Sequence, residues 1–374
     1  MRIAFDKTEA ENAVDEMALR ADDLPDGGEK IAFCEEMVRF ADASRDLYAQ
    51  YAAREALVEA ALWGGVPEKG LVAYTWCLAQ FDAHPGEFDE WKLLWRYKWI
   101  LNLICDFPQI PKEQIYAMLD EMERRYLKGG YGLRAVYVYR HLVEKFWGKR
   151  EEAIKHYRHS RQLPDDDVSD CRACDTDTEV CFQLYLGDYE RAVSLAAPLV
   201  EGRRFCRSVP QRTFSRLLVP LLVHLDRRAE AWDYHMRGYA MLSEHNASRL
   251  GYASDHLVFL ALYGDLEKAA TLFEKHYPWS EKNTNVFDRL TFYRAAWLFL
   301  EVAAEAGRDQ LRLHLPDTFP LYDASGSYET ARLKEWFEAR ARETAKRFDA
   351  RNENDHVTKE MEALLALKSR ATKV

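Results

Sequence analysis

The sequence lacks any apolar run approaching the ~18 residues a spanning helix needs, so no membrane-crossing segment is expected. Its first residues, MRIAFDKTEAENAVDEM, carry acids throughout and no apolar h-region, which argues against a secretory leader and for the cytoplasm. Excess positive charge is also missing. The 52 basic residues are outnumbered by 62 acidic ones, a formal net charge of −10, and a dedicated nucleic-acid binder would need a concentrated basic surface. There is no G-x-S-x-G, no H-E-x-x-H, no phosphate-binding glycine loop and no dinucleotide fingerprint, so nothing nominates an enzyme of those classes. Nor is there a Gly/Ser-rich or Pro-rich tract to act as a linker between independent domains.

What the chain does contain is a repeat. GKREEA (Gly148–Ala153), GDYERA (Gly187–Ala192), DRRAEA (Asp226–Ala231) and GDLEKA (Gly264–Ala269) start 39, 39 and 38 residues apart. Each joins two helix-periodic stretches. The pattern reads as a helix, a tight turn with Gly or Asp where a left-handed residue is tolerated, and a second helix beginning with acids. The small Ala is needed where two antiparallel helices approach closely. Upstream, GGVPEKG near Gly65 and FPQIPKEQ near Pro108 fall where further turns are due. Past Gly307 the register is lost. RLHLPDTFPLYDASGSY reads as irregular chain, and ETARLKEWFEARARETAKRF as an amphipathic helix able to cap a stack.

The glycine, acid and alanine of this unit, with Tyr157, Ala196, His235 and Phe273 four places on, resemble tetratricopeptide repeats. LLWRYKWIL, MERRYLKGG, SDCRACD, LGDYERAVSLAAPLVEG, the Cys206/Pro210 pair and HLVFLALYGD, in that order, are similar to a functionally uncharacterised bacterial subgroup of such proteins. The period is nearer 39 than that family's 34, and its early Trp-Leu-Gly is absent. The expected fold is all-α: a right-handed α-solenoid of about seven helical hairpins over residues 1–310, with an irregular segment and capping helices over 311–374. The resemblance implies a scaffold that binds a protein or peptide in its groove.

One stretch stands apart. SDCRACDTDTEVC holds Cys171, Cys174 and Cys181, three of the chain's seven cysteines. A helix from about Thr176 to Leu186 and a partner from Tyr189 to about Gly202 would bring Cys206 back to the edge where Cys171 and Cys174 lie. Soft thiolates in a C-x-x-C knuckle suit zinc, with His159, His156 or an acid such as Asp170 as the fourth ligand. Two other readings stay open: structural cysteines buried as small hydrophobes, or a reactive thiolate at a helix start. Cys181, Cys34, Cys77 and Cys105 are expected in the core.

Two more candidates concern binding. Trp91, Trp95 and Trp99 form a stripe at helical spacing that suits a hairpin core. Beside them Trp95, Arg96, Lys98 and Trp99, with Arg134 and Arg140 on the next helix, could line a basic, aromatic groove for an acidic or C-terminal peptide. His235 and His256, with Asp255 adjacent, could form a polar cluster between repeats, against the plainer reading of satisfied interfacial histidines.

Overall fold

The computed structural model describes residues 7–242 and 246–370. It is almost wholly helical, and none of its helices is long and apolar enough to cross a membrane. The chain divides into two compact units. The first runs through Ser169 and takes in short segments around Ser248 and at Lys282–Asn285. It contains α1 (Glu9–Asp22), α2 (Gly28–Ser44), α3 (Leu47–Gly64), α4 (Pro67–Ala83), α5 (Glu90–Ile104), α6 (Lys112–Gly129), α7 (Arg134–Phe146) and α8 (Arg150–Ser160). The second holds α9 (Arg172–Leu186), α10 (Tyr189–Val200), α11 (Gln211–Val219), α12 (Arg228–Ala240), α13 (Leu250–Tyr263), α14 (Leu266–Lys282) and α15 (Val286–Glu305). After these come β1 (Gln310–Arg312), β2 (Ser327–Glu329), α16 (Thr330–Asn352) and α17 (His356–Ala366).

The turns show why these helices fold back on one another. Gly148, Gly187, Asp226 and Gly264 all have positive φ, at 73°, 85°, 52° and 93°. An L residue with a Cβ is disfavoured there, and Gly, or less readily Asp, is the residue that fits. Asp188 and Asp265 then cap the following helices, accepting hydrogen bonds from the Arg191 and Lys268 amides, each at 3.1 Å. Ala153, Ala192, Ala231 and Ala269 are all completely buried, as are Ala196 and Phe273. A larger side chain at those alanines would push two helix backbones apart.

In the first unit, Cys34, Cys77 and Cys105 are buried in one apolar core that extends from Val14 to Val168. Thr284 donates its amide to the Gly65 carbonyl at 3.0 Å, and Asn285 reaches Asp106 at 2.7 Å, which fastens that late segment to the same unit. In the second unit α15 is apolar on nearly every side, and α16 covers it with Phe337, which stacks on Phe319 and meets Phe273 and Phe292 edge-on. The stretch read as irregular contains a minimal antiparallel ladder in which Leu311 sits opposite Tyr328.

Candidate metal centre

The helix read as starting near Thr176 begins four residues earlier, so Cys171 is its N-cap residue and Cys174 lies in its first turn. That puts both thiols at one helix end. A tight connection at Gly187–Asp188 turns α10 back along α9, and the chain leaving α10 returns to the same end. The Arg204 guanidinium donates to Thr176 Oγ1 at 2.7 Å, and the Arg204 amide to the Pro198 carbonyl at 2.8 Å. A turn then closes between Cys206 and Val209, each amide donating to the other's carbonyl, at 3.0 and 3.1 Å. Ala173, Leu199 and Val209 form a small apolar floor against which Cys174 and Cys206 pack.

The sulfurs of Cys171, Cys174 and Cys206 consequently lie within 4.8 Å of one another. Zinc–thiolate bonds of about 2.3 Å in a tetrahedron need sulfurs about 3.8 Å apart, so a modest closure suffices. Three soft donors with no oxygen among them can hold a thiophilic metal ion. Burial alone would raise the Cys171 thiol, yet the amide of Cys174 and the thiols of Cys174 and Cys206 outweigh it and pull its pKa down. Cys174 is pushed up, by burial first and then by the charges of Cys206, Cys171 and Asp170, against the opposing Arg212. Of the two, Cys171 is the more easily ionised, and a bound cation would favour the thiolate form of all three.

His159 is not in this group. It lies on α8 in the first unit, where its ring meets Tyr137 edge-on at 4.2 Å, with His156 on the same tyrosine at 5.8 Å. Aromatic packing, not coordination, sets the direction of both rings. Cys181 also departs from its core reading. It is partly exposed, beside Arg216 Nη1 at 2.7 Å and Asp177 at 3.9 Å.

The residues read as groove anchors are engaged inside the first unit. Lys98 is fully buried: its ammonium lies 3.4 Å from the Trp95 ring centre and donates to the Val168 carbonyl at 2.7 Å. Arg96 pairs with Glu55 at 2.6 Å. Trp99 sits edge-on to Trp63 at 5.9 Å. Arg134 meets Asp165 at 2.9 Å, and Arg140 joins Asp120 and Glu123 at 2.8 and 2.7 Å. A peptide would have to displace these internal partners, so the six residues do not form a ready anionic-ligand groove.

His235 and His256 do meet, Nδ1 to Nδ1 at 2.9 Å. His276 joins them through Tyr239, whose hydroxyl is 2.9 Å from His276 Nε2. Asp255 takes no part, because its carboxylate accepts from Ser215 Oγ at 2.9 Å on another face of α13.

The reading from sequence missed one group of residues, in the second unit. Asp177, with 1% of its side-chain surface exposed, accepts from Arg212 Nε at 2.7 Å, Thr213 Oγ1 at 2.6 Å and Arg216 Nη1 at 3.1 Å. A signal for it was present: Asp177, Arg216, Asp255 and Arg294 are each 39 residues apart, the repeat period, with alternating charge. No family model matches this chain, and a search of curated proteins finds no match either.

Proposed function

We propose that this is a tetratricopeptide-like repeat scaffold that binds a protein or peptide, with a structural zinc held by Cys171, Cys174 and Cys206. The observation that carries the metal half is the convergence of three thiols from two chain segments within 4.8 Å. A free loop has no reason to bring Cys206 there, and a zinc bridge would lock the end of α10 to the start of α9. The scaffold half is supported by the four left-handed turns and the four buried alanines at 38- and 39-residue spacing. A packed helical array of that kind offers a preformed surface and loses little entropy when it binds. The groove read from Trp95, Arg96, Lys98, Trp99, Arg134 and Arg140 gets less support, since its cations are already paired.

Metal analysis of the purified chain tests the zinc. One equivalent per chain is expected, lost in Cys206→Ala with a fall in melting temperature. Metal-free protein with unchanged stability in the variant would end this reading. A second reading, a zinc or thiol enzyme, draws on one observation: the set has three protein ligands and its Cys171 is exposed. Catalytic zinc keeps such an open position. Rapid alkylation of Cys171 alone in metal-free protein would favour it.

A further inference from the structure

The alternating residues Asp177, Arg216, Asp255 and Arg294 stand on α9, α11, α13 and α15, one per helix, within the second unit. Their pairing is uneven. Asp177 and Arg216 form an ion pair, while Asp255 has only the hydroxyl of Ser215. Arg294 ends the series. One period further stands Leu333, which is buried and apolar, so no carboxylate follows it.

Among the described residues the Arg294 guanidinium makes no hydrogen bond and no ion pair; its one ring contact is with Phe287, at 5.9 Å. Its Nε is fully buried and unpartnered. Burial is the largest influence on it, strong enough to lower its pKa although Asp255 and Glu360 act in the opposite sense from a distance. Arg216 uses only Nη1, toward Asp177 and Cys181, which leaves Nε and Nη2 without acceptors among the described residues. Its side chain is 40% exposed, so those two groups stay open to a ligand. Asp255 lies near enough to both arginines to feel their charge.

Arg294 is partly buried, with its Nε enclosed and unpartnered and no counter-ion in hydrogen-bond reach, and such groups mark places where a ligand supplies the missing charge. We propose that Arg294 and Arg216, with Ser215 and Asp255 between them, form a binding site for an oxoanion, a carboxylate or phosphate group presented by a ligand. Planar guanidinium forks match both groups through paired N–H···O bonds. Three carboxyls face the pair: Asp177 holds Arg216 Nη1, Glu360 acts on Arg294 from a distance, and Asp255, whose pKa burial raises, acts on both arginines. The site does not depend on the cysteine cluster or on a metal there.

The test uses the full chain with inorganic phosphate and, separately, succinate, at constant ionic strength. Melting temperature and calorimetric affinity are read for wild type, Arg294→Met and Arg340→Met, the last an exposed arginine on α16 paired with Glu343. At least one anion should raise the wild-type melting temperature, and Arg340→Met should respond equally. Arg294→Met should bind that anion at least about tenfold more weakly. Without anion it should melt higher than wild type, because the unpaired buried charge is gone. The pattern of response distinguishes a phosphate site from a carboxylate site. Three results would each overturn the proposal: no wild-type response to either anion, undiminished affinity in Arg294→Met, or a lower melting temperature of that variant without anion.

Discussion

Acid should unfold the second unit well above the pH at which carboxylates protonate, because of His235, His256 and His276. Their exposures are 4%, 0% and 1%, and burial is the first cause of a lowered pKa in each. His235 falls to about 4 and His276 to about 3, while His256 is held well below its usual value by burial and by the two neighbouring imidazoles. The charged groups that face them are few. Asp265 favours protonation of His235, Lys268 opposes it, and Lys275 opposes that of His276. His256 Nε2 and His276 Nδ1 are buried without a partner, so no acceptor waits for an added proton.

The folded state therefore binds fewer protons than the unfolded chain once pH drops below about 6.5. Stability is full at pH 7 and above, falls as pH passes through 6.5, and stops falling for each group at its folded value. At pH 5 each unfolded imidazole is almost fully protonated, a free-energy difference of about 2 kcal/mol for each of His235 and His276, with His256 adding in the same direction. Domains are commonly stable by about 5–15 kcal/mol, so this is a large fraction. Asp255 acts in the opposite sense, because burial raises its carboxyl, but it is one group against three. Asp177, whose carboxyl is lowered, contributes its loss only below its ordinary carboxylate range.

The assay is urea unfolding of the full chain at pH 8, 7, 6, 5.5 and 5, repeated with His276→Phe. The wild-type slope at the acid end should exceed about 2.7 kcal/mol per pH unit, two protons' worth from His235 and His276, with His256 and, in the first unit, His141, which burial lowers to about 4, adding in the same direction. The variant should lose about 1.4 kcal/mol per pH unit of that slope, whatever it does to stability at pH 8. Equal wild-type stability at pH 8 and pH 5, or an unchanged slope in His276→Phe, would refute the reasoning.

Three further outcomes follow from the packing. Asp226→Gly should stabilise the chain by up to about 1 kcal/mol, because Asp226 is held at φ 52°, where glycine has no Cβ penalty; equilibrium denaturation reads it. Asp177→Asn should destabilise by about 3–5 kcal/mol, since it leaves Arg212 and Arg216 without their shared buried counter-ion; a loss below about 1 kcal/mol would place that network outside the stabilising core. Gly238→Ala should cost about 1–3 kcal/mol, because the new methyl would sit 2.6 Å from Phe214 Cβ and 3.3 Å from the His256 ring; unchanged melting would mean α11 and α12 can separate freely.

The helical class, the turns and the close alanines could all be read from the chain, because they are local. A left-handed turn position needs Gly or Asp whatever surrounds it, and the glycine–acid–alanine unit announces itself in six residues. The C-x-x-C knuckle was legible for the same reason, and so was the return of Cys206, through the length of one hairpin. The histidine expected beside them does not join the cluster. His159 and His156 belong to the first unit and turn to Tyr137, a choice made by aromatic packing that spacing along the chain does not encode. Lys98, Arg96, Arg134 and Arg140 looked like open anchors because sequence shows charge but not its partner, and their hydrogen-bonding partners lie 17 to 70 residues away. The alternating series from Asp177 to Arg294 lies between these cases. Its 39-residue period is printed in the sequence, yet only the tertiary structure decides that Asp177 is saturated by three donors while Arg294, at the end of the series, has none. The physical reason is that hydrogen-bond satisfaction depends on the surroundings of each helix, and those surroundings change where the repeat stops.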